Sequence, residues 1–217
     1  MTPDYNKAAT KATETLLKYG INSTPISPLQ ILKRIDNVIV TSFSEMSDSN
    51  GMSRRELVPM FGRNRDAISS IHTENGKQIY VVAYNAMLPM SIVQKTLARE
   101  LGHIVLKHKD GGQKNSLEAD CFACHLLCPR PVVHFLQVTN IRITVEVLAN
   151  LTGLYDQSLF AMRRIPGTDV PQKLNNFVRN QFMPFLLNLF DYYQYIIQDD
   201  RSALADFGSY MDNYEER

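Results

Sequence analysis

Two helical segments, separated by a glycine pair and followed by prolines, constrain the fold of this chain most. Residues 90–108 and 116–128 both carry apolar side chains at helical spacing, and Gly111-Gly112 lie between them. Pro129 and Pro131 end the second segment, because the residue before a proline is disfavoured in a helical conformation. The pattern therefore predicts two consecutive helices whose apolar stripes pack in a core.

The rest of the chain predicts further helices and a small sheet. A β-hairpin is predicted where residues 67–71 meet residues 78–84 across Asn75-Gly76, a preferred tight-turn pair. The other predicted elements are a helix over 3–19, a short helix begun by Ser27-Pro28, a strand over Val38–Thr41, one more strand near Leu57–Phe61, short helices over 131–165, and a helix over 171–197 with a kink at Pro184.

These elements indicate an α+β fold. We expect a small, mostly antiparallel sheet backed by the helices over 90–108 and 116–128, followed by an all-helical C-terminal part. Pro166-Gly167 and Pro171 mark a boundary. The predicted division is residues 1–130, a small helical unit over 131–165, and a C-terminal extension over 166–217 with an acidic, loosely held end.

Composition excludes several classes of protein. Of the 217 residues, 44% are apolar and 21% are charged, as in globular domains. No apolar run approaches the ~18 residues that span a bilayer, and the N-terminus lacks a signal-peptide core, so we expect a cytoplasmic protein with no membrane role. Residues 131–217 hold 7 basic against 10 acidic side chains, which argues against nucleic-acid binding there.

The first helical segment carries most of a metallopeptidase signature. In His-Glu-x-x-His, two histidines four residues apart hold zinc from one helical face, and the glutamate polarises the bound water. This chain has Arg99 in the first position, followed by Glu100, Leu101, Gly102 and His103.

Several motifs together resemble the ImmA/IrrE-like metallopeptidases of bacteria and their mobile elements. The motifs are the strand that ends in Asn85, the stretch from Leu97 to His103, and the Ala-Asp-x-Phe-Ala-x-x-Leu-Leu-x-Pro stretch over 119–129. The resemblance covers residues 1–165 and implies a zincin-like domain that cuts transcriptional repressors. In an active member, Glu100 would be the general base, His103 a zinc ligand, and Asp120 a residue that orients a ligand.

This chain departs from the family at two ligand positions. Arg99 cannot ligate, because its guanidinium stays protonated and offers no lone pair. The resemblance implies a glutamate ligand four residues before Asp120, where this chain has Ser116. Glu118 is the fallback ligand, but at ~100° per residue it lies ~160–200° from both Ser116 and Asp120. An Arg99–Glu100 or Arg99–Asp120 ion pair could take the place of a metal as the link between the two helices.

The leading hypothesis is a non-catalytic family member that binds no cofactor and regulates a repressor-like protein. The first alternative is an active zinc endopeptidase with a metal site rebuilt from His103, Glu118 or a nearby histidine. The second is a DNA-binding regulator that uses a helix-turn-helix pattern over 145–164. The apolar stripe over 171–197 indicates helix core or a homodimer interface.

Two further groups are expected to be structural. His108 lies about 140° around the helix from His103, so we expect a surface or helix-end histidine. Cys121, Cys124 and Cys128 lie close to His125 on one helical face. That arrangement could bind a soft metal, but a core stripe is the favoured interpretation.

Overall fold

The computed structural model of the protein describes residues 2–51, 66–74, 76–139, 144–154 and 168–215, with side chains described as far as Tyr195 except at Asn50. This part of the chain is α+β and contains eight helices and one three-stranded sheet. The elements are α1 (Tyr5–Lys18), α2 (Pro28–Leu32), β1 (Val38–Ser42), α3 (Phe43–Asn50), β2 (Ala67–Glu74), β3 (Lys77–Tyr84), α4 (Met90–Val105), α5 (Gln113–Leu127), α6 (Arg130–Val138), α7 (Val145–Thr152) and α8 (Gln172–Glu215).

The sheet is mixed, with strand order β1-β3-β2. The predicted hairpin is present, and β2 pairs with β3 in the antiparallel direction. β1 pairs with the other side of β3 in the parallel direction, in the register Val38↔Tyr80. The predicted small sheet is confirmed with its antiparallel hairpin, but the parallel pairing of β1 makes it mixed rather than mostly antiparallel. A long connection separates β1 from the hairpin, and such a connection permits parallel pairing. The strand expected near Leu57–Phe61 lies outside the described residues.

α4 packs against β2 and β3. α2 packs against β1, and α3 packs against β1 and β3. α5 packs instead against α4 and α1. The expectation that both motif helices back the sheet is therefore correct for α4 and wrong for α5. The buried side chains of α5 include Cys121, Phe122 and Leu126, and they give it an apolar surface that fits between two helices rather than onto strands.

A single apolar cluster runs from the first helix to the last. It includes Ala8 and Leu16 of α1, Leu97 of α4, and Phe182 and Leu186 of α8. α8 packs on α1 and α6, and its backbone continues beyond the predicted end at residue 197 to Glu215. No helix in the described ranges is both long and apolar enough to cross a lipid bilayer.

The helix-turn-helix pattern is only half described. Thr144 caps the start of α7, because its side chain accepts a hydrogen bond from the backbone N–H of Val147. Gly153, with a φ of 72°, caps the end of the helix. Its residues Leu148, Ala149 and Leu151 face the core, whereas Val145 is exposed. Residues 155–164, which would supply the second helix, lie outside the described part, so DNA binding stays a prediction. Dimerisation through residues 171–197 also stays a prediction. The boundary expected near residue 166 falls outside the described ranges.

Candidate functional site

A close helix crossing brings the motif residues together. α4 and α5 approach at Gly102, where an added Cβ atom would lie 3.0 Å from Cδ1 and 3.2 Å from Cβ of Phe122. Phe122 is fully buried. Because glycine has no side chain, the two backbones can come this close. The crossing sets Arg99 of α4 beside Asp120 of α5.

Arg99 forms the inter-helix ion pair expected from the sequence. Its Nε lies 2.5 Å from Oδ1 of Asp120, and the two side chains are 33% and 41% exposed. The angle is poor for a hydrogen bond, so within the described residues Nε has no well-aligned acceptor. The sequence suggested two pairs, Arg99–Glu100 and Arg99–Asp120, and the structure contains the second. A fixed positive charge therefore occupies the position where the family places its first metal ligand.

His108 lies inside the protein, next to His103. α4 ends at Val105, and Lys107 has a φ of 58°, which is left-handed. The chain turns back there, so that the backbone N–H of His108 donates to the carbonyl of His103 at 3.0 Å. The Nδ1 atoms of the two rings are also 3.0 Å apart. Of the two expected positions of His108, the helix end is correct and the surface is wrong, because the 140° argument applies only to a helix that continues through residue 108.

Glu118 points away from the Arg99–Asp120 pair, as its angle on the helix predicts. Its Oε1 accepts the backbone N–H of Asp4 at 2.8 Å, and its Oε2 lies 3.0 Å from Nε2 of His108. The Lys114 ammonium is 3.6 Å away. Burial alone would raise the pKa of Glu118, but the Asp4 N–H, His108 and Lys114 together lower it below the ordinary value. Glu118 is therefore a buried carboxylate.

The pKa of His103 lies below the ordinary histidine value. Burial lowers it most, and His108 and Arg99 act in the same direction. Glu100 and Asp120 oppose this effect, but the pKa stays below the ordinary value. Glu100 is half-buried one helical turn before His103. The charge of Glu100 therefore acts on His103, which is consistent with its place in the motif.

The residues do not fit the zinc centre of the ImmA/IrrE-like family. Ser116, at the implied third ligand position, donates its hydroxyl to the carbonyl of Gly111 at 3.3 Å. Arg99 brings a cation, and Glu118 is engaged by Asp4 and His108. Within the described ranges, no group of three or more His, Cys, Asp or Glu side chains converges as a metal site.

The cysteine and histidine face of α5 is also structural. None of the three cysteines forms a disulfide. Burial raises the pKa of the Cys121 thiol to about 12, and it raises the pKa of Cys124 further still. Both are therefore thiols rather than the thiolates that attack substrates. His125 instead has its Nε2 2.9 Å from the hydroxyl of Thr168. Sequence reasoning missed Thr168, and nothing in the local pattern marks it.

Comparison of the chain with protein-family models and with curated protein sequences gave no match.

Proposed function

We propose that this protein is a non-catalytic relative of the ImmA/IrrE-type metallopeptidases. It would use the zincin-like framework as a binding module for a repressor-like protein of a mobile element or stress system, in the cytoplasm. The motifs in α4 and α5 support the relationship. The changes at two ligand positions support the loss of catalysis.

The Arg99–Asp120 ion pair carries the proposal. A guanidinium has no lone pair to donate to a metal, and its charge repels a dication. Asp120, which the resemblance assigns to orienting a metal ligand, is engaged by this cation at 2.5 Å. The pair links α4 to α5 at the place where a metal would otherwise join them.

The test is the zinc content of the full chain, purified without chelators and then dialysed against zinc. We expect close to no zinc for the unaltered protein. The double variant Arg99→His/Ser116→Glu restores the two missing ligands and is the matched positive control. It should gain about one zinc per chain, as a three-ligand catalytic site would. About one zinc per chain in the unaltered protein would refute the proposal.

One observation favours the alternative of an active enzyme with a rebuilt site. His103 and His108 present two ring nitrogens to each other at 3.0 Å, and imidazole is a common ligand of zinc. If the alternative holds, the protein cleaves a repressor encoded beside it, and Glu100→Gln abolishes the cleavage. If the main proposal holds, the unaltered chain binds that repressor without cutting it, and Glu100→Gln leaves binding unchanged.

A further inference from the structure

A chain of hydrogen bonds connects the N-terminus of α1 to His103 of the motif. It runs from the backbone N–H of Asp4 to Glu118, from Glu118 to His108, and from His108 to His103. The heavy-atom distances are 2.8, 3.0 and 3.0 Å. The side chains of His108 and Glu118 are each only 6% exposed, so water competes little for these contacts.

The donor and acceptor properties of these groups fix the position of each proton. An ionised carboxylate only accepts hydrogen bonds, so Nε2 of His108 must carry a hydrogen to reach Glu118. In a neutral ring the other nitrogen, Nδ1, is then a lone pair. Because Nδ1 of His108 accepts, Nδ1 of His103 must donate. That leaves Nε2 of His103 without a hydrogen.

We propose that Glu118 and His108 are positioning residues that hold His103 in the Nδ1–H tautomer and leave its Nε2 as an acceptor. Within the described ranges, no side chain or backbone group makes a hydrogen bond to Nε2 of His103. This nitrogen, next to Arg99 and Glu100 on α4, accepts a hydrogen bond from an amide or hydroxyl group of a bound peptide. That last role rests on the proposed function, whereas the tautomer does not.

The isosteric variant Glu118→Gln tests this proposal. A carboxylate accepts hydrogen bonds at both oxygens, whereas an amide accepts at its oxygen and donates from its nitrogen. The backbone N–H of Asp4 can only donate, so the amide oxygen of the variant must face Asp4. Its NH₂ group then donates to Nε2 of His108. The proton of His108 moves to Nδ1 and is donated to Nδ1 of His103. Both rings therefore exchange tautomers, and Nε2 of His103 becomes a donor.

The measurement is long-range ¹H–¹⁵N correlation NMR of the histidine rings in the ¹⁵N-labelled full chain. The pH is about 8, well above the ordinary histidine pKa of about 6.5. In the unaltered protein we expect the hydrogen of His103 on Nδ1 and that of His108 on Nε2. In Glu118→Gln we expect both assignments to reverse. The ring of His125, which bonds to Thr168, should keep its signals and shows that the fold is intact.

Lys114→Gln is the matched control, because it removes the ammonium beside Glu118 but leaves the carboxylate in place. Its tautomers should be those of the unaltered protein. Hydrogen on Nε2 of His103 in the unaltered protein would overturn the proposal, and so would an unchanged pattern in Glu118→Gln. Because zinc content is measured separately, failure of this proposal and failure of the proposed function give different results.

Discussion

Acid should destabilise this protein through His125, whose contact with Thr168 ties the segment before α8 to the end of α5. Burial, and to a lesser extent the nearby charge of Arg130, lowers the pKa of His125 from 6.5 to about 4. The folded protein therefore disfavours the protonated ring. The stabilisation is fully present above the unfolded pKa of about 6.5, and it is lost as the pH falls toward about 4.

The expected size of the effect follows from the two pKa values. Each pH unit over which only the unfolded chain binds the proton costs about 1.4 kcal/mol. Relative to about pH 7, the loss reaches about 2 kcal/mol at about pH 5 and about 3 kcal/mol at about pH 4. Because a small domain is stable by only about 5–15 kcal/mol, a loss of this size is readily measured.

The assay is urea unfolding of the unaltered protein and of His125→Gln at a series of pH values. Glutamine keeps an acceptor oxygen for the hydroxyl of Thr168 but does not titrate. The unaltered protein should lose about 2 kcal/mol more than the variant between about pH 7 and about pH 5, while other acid effects cancel in the difference. Thr168→Val is the control, because it removes the hydrogen bond at a cost of about 1 kcal/mol and keeps the pH slope. Parallel pH curves for the unaltered protein and His125→Gln would refute the reasoning.

Two further predictions concern the crossing of α4 and α5. Gly102→Ala should lower the free energy of unfolding by about 1–2 kcal/mol, because overpacking against Phe122 exceeds the gain in helix propensity. Gly111→Ala, with nothing within 4 Å of the added Cβ, should not destabilise. Arg99→Met should cost less than about 1 kcal/mol, because its ion pair with Asp120 is partly exposed. The midpoints of urea unfolding test Gly102→Ala, Arg99→Met and the control Gly111→Ala. A larger loss of stability for Arg99→Met than for Gly102→Ala would contradict this order.

The sequence predicted the parts of the fold that depend on local pattern. The hairpin across Asn75-Gly76 and the two motif helices follow from turn chemistry and periodicity, and both are confirmed. The Arg99–Asp120 pair was one of two pairs that the motif positions suggested, and the choice between Glu100 and Asp120 came only from the structure. The direction of β1 was not predictable. It depends on how a long connection returns the chain to β3, and no local pattern encodes that.

The environment of His108 escaped sequence reasoning for a more specific reason. The helical segment was predicted to continue to residue 108 but ends at Val105, so the angle worked out for a continuous helix placed His108 on the wrong side of α4. The end is set by Lys107, a residue type that rarely takes a positive φ. Nothing in the identity of a lysine signals this conformation. The buried contact of His108 with Glu118 favours that turn, and it joins two residues that are ten positions apart.

The magnitudes also show what holds α4 and α5 together. An ion pair as exposed as Arg99–Asp120 contributes at most about 1 kcal/mol. The ion pair therefore contributes little to the cohesion of the two helices. That cohesion comes from fully buried apolar side chains such as Phe122, each side chain worth about 1.5–3 kcal/mol. Because the packing beneath it holds the helices together, the polar face of α4 is not needed to stabilise the fold. Under the proposed function, Arg99 and His103 are then available for contact with the partner.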